Sequence, residues 1–185
     1  MEDILSNLNA GQLVVFCGRH AAREQATAAI AALALRGPVT VLDNGNRFQP
    51  YRVARLLRME TTQVEQAAQR LAVRRAFTCY QTMALLESTP SLREPYVVLD
   101  LLATFFDEGV RPQECLRIVA ACLRELDRLK ARAPILLTLA PPRLDERAFL
   151  LEEVFSAADR VLFEQDSLPA LPGETPTQPA LFGLG

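Results

Sequence analysis

Gln12-Leu13-Val14-Val15-Phe16-Cys17-Gly18, followed by an alanine-rich run from Ala21 to Leu35, then Gly37-Pro38 and Val39-Thr40-Val41-Leu42, is the stretch that decides the fold. The first run is short, apolar and rich in β-branched residues, and it stops at a glycine, which reads as a buried strand entering a turn. The alanine-rich run has the composition of a helix buried in the protein interior, ended by glycine and proline. Val39 to Leu42 is then a second strand, closed by the turn sequence Asp43-Asn44-Gly45-Asn46.

The same alternation continues outward. Pro50 suits the first turn of a helix running through Arg58, and Thr61 or Thr62 with Glu65 predicts a capping box for another short helix to about Leu71. Val73–Phe77 reads as a strand and Tyr80–Glu87 as a helix. Tyr96–Leu99 is a continuous apolar strand ending in Asp100. Arg111-Pro112 opens the longest helix, with Leu116, Val119, Leu123, Leu126 and Leu129 at helical spacing on one face. Pro134 stops it. Ile135–Leu139 is another buried strand, Phe149–Phe155 a helix and Arg160–Phe163 the last strand. Strands alternating with helices throughout predict an α/β fold of three layers, a mainly parallel sheet with helices on both faces. From Asp166 onward Pro, Gly, Thr and short polar residues dominate, so the reading is a core domain over 1–165 and a flexible tail over 166–185.

The 185 residues suffice for one domain with a substantial core. A net charge of −2 gives no reason to expect strong non-specific nucleic-acid binding. Cys17, Cys79, Cys115 and Cys122 never form a C-x-x-C pair, and His20 is the only histidine, which argues against a zinc site. Scattered cysteines without a signal peptide read as reduced, buried thiols of a cytoplasmic protein. The apolar runs are broken by charges well short of bilayer-spanning length, which predicts a soluble domain.

The segment from Leu42 to Arg52, LDNGNRFQPYR, resembles a stretch of the RecA-type recombinases in the RadA branch, where a strand runs into D-T-E-x-x-F-R-P-x-R. Asp43, Phe48, Pro50 and Arg52 match it. Arg75-Ala76-Phe77, followed by Gln81 and Leu85-Leu86, is similar to the family's A-R-A-F-N-x-x-x-Q segment, and Asp100 resembles the Walker B aspartate. The resemblance spans about Gly11 to Glu164 and implies a RecA-like P-loop NTPase-type core.

The departures carry as much information. A working P-loop is G-x-x-x-x-G-K-[ST], and the aligned stretch is Gly18-Arg19-His20-Ala21-Ala22-Arg23-Glu24-Gln25. Arg23 stands at the second glycine, Glu24 at the lysine and Gln25 at the hydroxyl that would ligate Mg²⁺. A unit charge pair at ~4 Å and an effective dielectric of ~20 is worth roughly 4 kcal/mol. Exchanging lysine for glutamate removes one such attraction and adds a repulsion, which approaches the ~8 kcal/mol of a micromolar complex. Lys130, the only lysine, sits far along the chain near the end of the long helix. Gly45 stands where the family's water-activating glutamate would be, and glycine performs no general-base chemistry. Leu139 and Ala140 replace polar residues that sense the γ-phosphate in the family. The reading therefore assigns no catalytic residue and no metal ligand, and it disfavours ATP and Mg²⁺ as ligands.

Gly18, Arg19 and Arg23, with His20, stand at a predicted helix N-terminus, where a nucleotide or a DNA phosphate would bind if any does; Asp100 would then hold the metal through water. The competing reading is a solvated turn, with Asp100 and Asp43 accepting hydrogen bonds at strand ends. The segments aligned with the family's DNA-contacting loops, Phe105–Arg111 and Pro141–Arg147, mix acids with arginines and lack a basic groove with stacking platforms, so DNA contact is expected to be weak or indirect. Gln178, Leu181 and Phe182 in the tail resemble the Q-x-x-L-F peptide that binds the bacterial sliding clamp. Together these imply a non-catalytic RecA/RadA-like accessory protein of DNA repair or recombination. It would act by protein–protein contact, with another RecA-type recombinase or, through the tail, the clamp. Two alternatives stay open: a nucleotide-binding regulatory module using Arg19 and Arg23, and an ATPase completed by a partner chain.

Overall fold

The computed structural model describes residues 8–106, 109–141 and 147–164. Six strands form one sheet: β1 (Leu13–Cys17), β2 (Val39–Asp43), β3 (Leu71–Arg75), β4 (Tyr96–Leu99), β5 (Ile135–Leu139) and β6 (Arg160–Phe163). Their spatial order is β3-β2-β4-β5-β1-β6, and every neighbouring pair is parallel. The four central strands are buried along their whole length, whereas β3 and β6 at the edges are partly exposed. That is why LVVFC, VTVLD, YVVL and ILLTL are almost continuously apolar, while LAVRR is not: a strand covered on both faces has no solvent side.

The helices are α1 (Arg23–Arg36), α2 (Pro50–Glu60), α3 (Val64–Gln69), α4 (Cys79–Glu87), α5 (Pro112–Lys130) and α6 (Phe149–Ala157). The chain moves across the sheet one way from β1 through β2 to β3, then the other way through β4 and β5 to β6. Crossovers between parallel strands keep one hand, so a reversal of direction transfers the helices to the opposite face. Accordingly α1, α2 and α3 pack with Val14, Val41 and Val97 in one core layer, and α4, α5 and α6 pack with Val15, Val98 and Leu137 in the other. The loops leaving β1 and β2 thus turn to one face and those leaving β4 and β5 to the other. Where neighbouring strands diverge in this way, a crevice opens at their carboxyl ends, and parallel sheets place binding sites there.

Two local expectations are corrected. Neither Thr61 nor Thr62 caps α3: its first turn is preceded by Gln63 without a side-chain cap, and Thr61 Oγ1 accepts from Gln63 N–H instead. The side-chain cap lies one helix later, where Thr78 accepts from Gln81 N–H while Gln81 Oε1 accepts from Phe77 N–H. In α5 the buried positions are Cys115, Ile118, Val119, Cys122, Leu126 and Leu129, so the inner face is rotated from the expected stripe of Leu116, Val119, Leu123, Leu126 and Leu129, and Leu116 faces outward. Cysteine behaves here as a small apolar residue.

No described helix is long and apolar enough to cross a membrane. None of the four cysteines forms a disulfide, and all are buried. Burial, followed by the carboxylate of Asp100, pushes the Cys17 thiol up to about 11, and burial pushes that of Cys122 up to about 12. Because the thiolate is the nucleophile, iodoacetamide at pH 8 is expected to leave the native protein unlabelled and to modify four cysteines in denaturant. Rapid labelling of any native thiol would contradict this packing.

Candidate functional site

Two clusters meet at the carboxyl edge of the sheet. The first is the turn after β1. Gly18 is extended and donates its N–H to Leu139 O at 3.0 Å. The chain then makes a left-handed turn: His20, Ala21 and Ala22 have φ of 54°, 56° and 48°. Ala21 N–H and Ala22 N–H donate to Gly18 O and Arg19 O. Non-glycine residues pay about 1–2 kcal/mol each in this region, and three in succession persist only where surrounding contacts fix them.

Glu164, just after β6, supplies such contacts. Glu164 N–H donates to Cys17 O, which carries the pairing of β6 with β1 one step further. Its carboxylate then lies across the turn, where Oε2 accepts from Arg19 N–H at 2.9 Å and Oε1 accepts from Gln25 Nε2 at 2.7 Å. A Cβ built on Gly18 would lie 2.7 Å from Glu164 Oε2 and 3.0 Å from Glu164 Cβ. Glycine at 18 thus permits the close approach of an internal carboxylate, which any side chain there would push aside. Beside it is a cavity of about 250 Å³ lined by Arg19, His20, Arg23, Glu24, Gln25, Arg52 and Glu164. Arg52 Nη1 reaches Glu24 Oε1 at 3.4 Å, and Glu24 is 82% exposed, so this pair contributes little to stability.

The second cluster joins the ends of β2 and β4. Asp43, fully buried, accepts from Arg47 N–H at 2.7 Å through Oδ1, and from Phe48 N–H and Arg75 Nε, both at 3.2 Å, through Oδ2. This carboxylate organises the Asn44–Phe48 turn as an internal cap. Asp100 is also buried and has φ of 50°. Its Oδ2 accepts from Arg47 Nε at 2.8 Å, its Oδ1 from Ala140 N–H at 3.3 Å, and its own N–H donates to Thr138 Oγ1 at 3.0 Å. A Cβ on Gly45 would lie 2.8 Å from Asp100 Cβ. Both aspartates are thus engaged by arginine and main-chain donors.

The sequence matches no protein-family model and no curated protein.

Of the predicted site residues, the structure brings Gly18, Arg19 and Arg23 together at one turn and places Asp100 in the neighbouring cluster, outside the lining of the arginine cavity. Sequence reasoning missed Glu164 and the partner Arg47, and it treated Arg52 and Arg75 only as motif matches. A charged residue directly after an apolar strand, as Glu164 is after RVLF, was the one available signal. Arg147 at the end of the second candidate DNA loop is turned inward: its guanidinium donates to Phe105 O and to Val110 O, the latter at 2.9 Å. It ties that loop to the first one. The tail residues Gln178, Leu181 and Phe182, together with Asp107, Glu108 and 142–146, lie outside the described residues.

Proposed function

We propose that this chain is a non-catalytic accessory protein of the RecA/RadA type, serving DNA repair or recombination by binding another protein. One observation carries the reading: the corner that would hold metal and attacking water is filled by the chain's own groups. Asp100 is committed to Arg47, and the space beside Gly45 is taken by the Asp100 side chain. A glutamate cannot be restored there without displacing this pair. The all-parallel sheet, with the turn after β1 and the end of β4 both at its carboxyl edge, supports the family resemblance of the segment from Leu42 to Arg52.

Titration with a fluorescent ATP analogue in the presence of Mg²⁺ is expected to give no dissociation constant below ~10 μM, and no turnover. Tighter binding or hydrolysis by the chain alone would refute the reading. For the tail, Leu181→Ala with Phe182→Ala is expected to abolish binding to a purified bacterial sliding clamp while leaving the melting temperature unchanged, because the Leu-Phe pair would be the apolar anchor. Equal clamp binding by the double variant, or none by the unaltered chain, would remove the clamp from the proposal.

A further inference from the structure

The turn after β1 already holds an anion, and that anion is part of the chain. Glu164 presents one oxygen to Arg19 N–H and the other to Gln25 Nε2, a bidentate arrangement at 2.9 and 2.7 Å. The cavity beside it gathers the side chains of Arg19, Arg23 and Arg52 with His20, against Glu24 and Glu164. Among the described lining residues other than Glu164 are three arginines and one carboxylate, Glu24, which is mostly in solvent and pairs with Arg52. The buried polar atoms left without partners also fall in this quarter of the molecule. Among the described residues they are Arg23 Nε, Gln25 Oε1, both Asn44 amide atoms and Gln49 Oε1, all on residues that follow β1 or β2. Buried polar atoms are normally satisfied, so those on residues of this cavity mark an environment that the closed arrangement does not complete. Arg23 and Gln25 belong to the cavity wall itself.

We propose that Glu164 is an autoinhibitory resident anion, which closes a guanidinium-lined cavity to incoming phosphate-class oxyanions and must leave before one can enter. The inference goes beyond the non-catalytic reading, since it assigns a role to a residue outside every motif. It also explains how three consecutive left-handed residues persist: the carboxylate fixes the main chain at Arg19, immediately before them. Displacement costs at least its hydrogen bonds to Arg19 N–H and Gln25 Nε2, and the incoming group must offer oxygens to the same donors as well as charge to Arg23 and Arg52.

Tripolyphosphate is the appropriate probe because it carries the charge without a base or sugar. In calorimetric titrations at low salt, the unaltered full-length chain is expected to bind it weakly. Glu164→Ala is expected to bind at least roughly 10-fold more tightly, the order expected for deleting one unit charge beside a polyanion. Glu164→Gln, which keeps an acceptor oxygen for Arg19 N–H but no charge, should fall between them and decides the matter if the alanine variant does not fold. The gain should vanish when Arg23→Ala and Arg52→Ala are added. Equal affinity of the unaltered chain and the folded Glu164 variants would overturn the proposal, as would a gain that survives loss of both arginines. ATP binding or hydrolysis by the unaltered chain tests the non-catalytic reading separately, so the two can fail independently.

Discussion

Gly45→Ala is expected to lower the unfolding free energy by about 2–4 kcal/mol, the range for overpacking that also disrupts a buried ion pair. The new methyl group would sit 2.8 Å from Asp100 Cβ, 2.9 Å from Asp100 Oδ2 and 3.1 Å from Arg47 Cγ. None of these atoms can retreat cheaply. Asp100 has a left-handed backbone and is held by Thr138, Ala140 and Arg47. Moving its carboxylate would leave it buried with fewer donors, which costs more than the contact itself. Urea denaturation provides the measurement, read as a shift of the midpoint at constant slope. A loss below ~0.5 kcal/mol, the scale of an ordinary surface change, would mean that the turn accommodates a side chain and that the corner is open. Gly45→Glu should be at least as damaging as Gly45→Ala, and it should not create ATPase activity.

Asp43→Ala is expected to cost about 3 kcal/mol or more, by a different mechanism. Its carboxylate accepts the main-chain N–H groups of Arg47 and Phe48, and alanine would leave both without that partner beside a buried strand end. The ion pair with Arg75 adds less, because that guanidinium is 41% exposed and can turn to water. Asp43→Asn should recover only part of the loss. Each carboxylate oxygen serves a different N–H, so an amide must turn its NH₂ group toward one donor whichever way it is oriented. Comparable stability of the aspartate and alanine forms in urea would show that the turn does not depend on this cap.

Much of the architecture was legible because its signals are local. LVVFC, VTVL, YVVL and ILLTL each carry the run of apolar residues that a strand buried on both faces requires, and Pro50, Pro112 and Gly37 mark helix ends. The inner face of α5 was misread because its apolar positions include Cys115 and Cys122, which the stripe of leucines and Val119 passes over together with Ile118. The capping box was misplaced for a similar reason: T-x-x-E at 62–65 and T-x-x-Q at 78–81 look alike, and only the entry path of the chain distinguishes them. At the site, what is missing from a P-loop could be read directly, but what replaced it could not. Glu164 meets Arg19 from 145 residues away and Arg47 meets Asp100 from 53. Such pairings are fixed by strand order, and strand order depends on where the crossovers turn back, which no single segment encodes.

The position of β1 in that order has a consequence for synthesis. Its partners are β5 and β6, so Leu13 pairs with Ile135 and Val14 with Arg160. At a translation rate of about 10 residues per second, Leu13–Cys17 waits more than ten seconds for Ile135–Leu139, with which it pairs. β2, β3 and β4 all lie between Val39 and Leu99 and can assemble during that interval. Nascent chains should therefore gain protease resistance first in this middle portion. Until Ile135–Leu139 emerges, LVVFC lacks the strands it pairs with in the sheet.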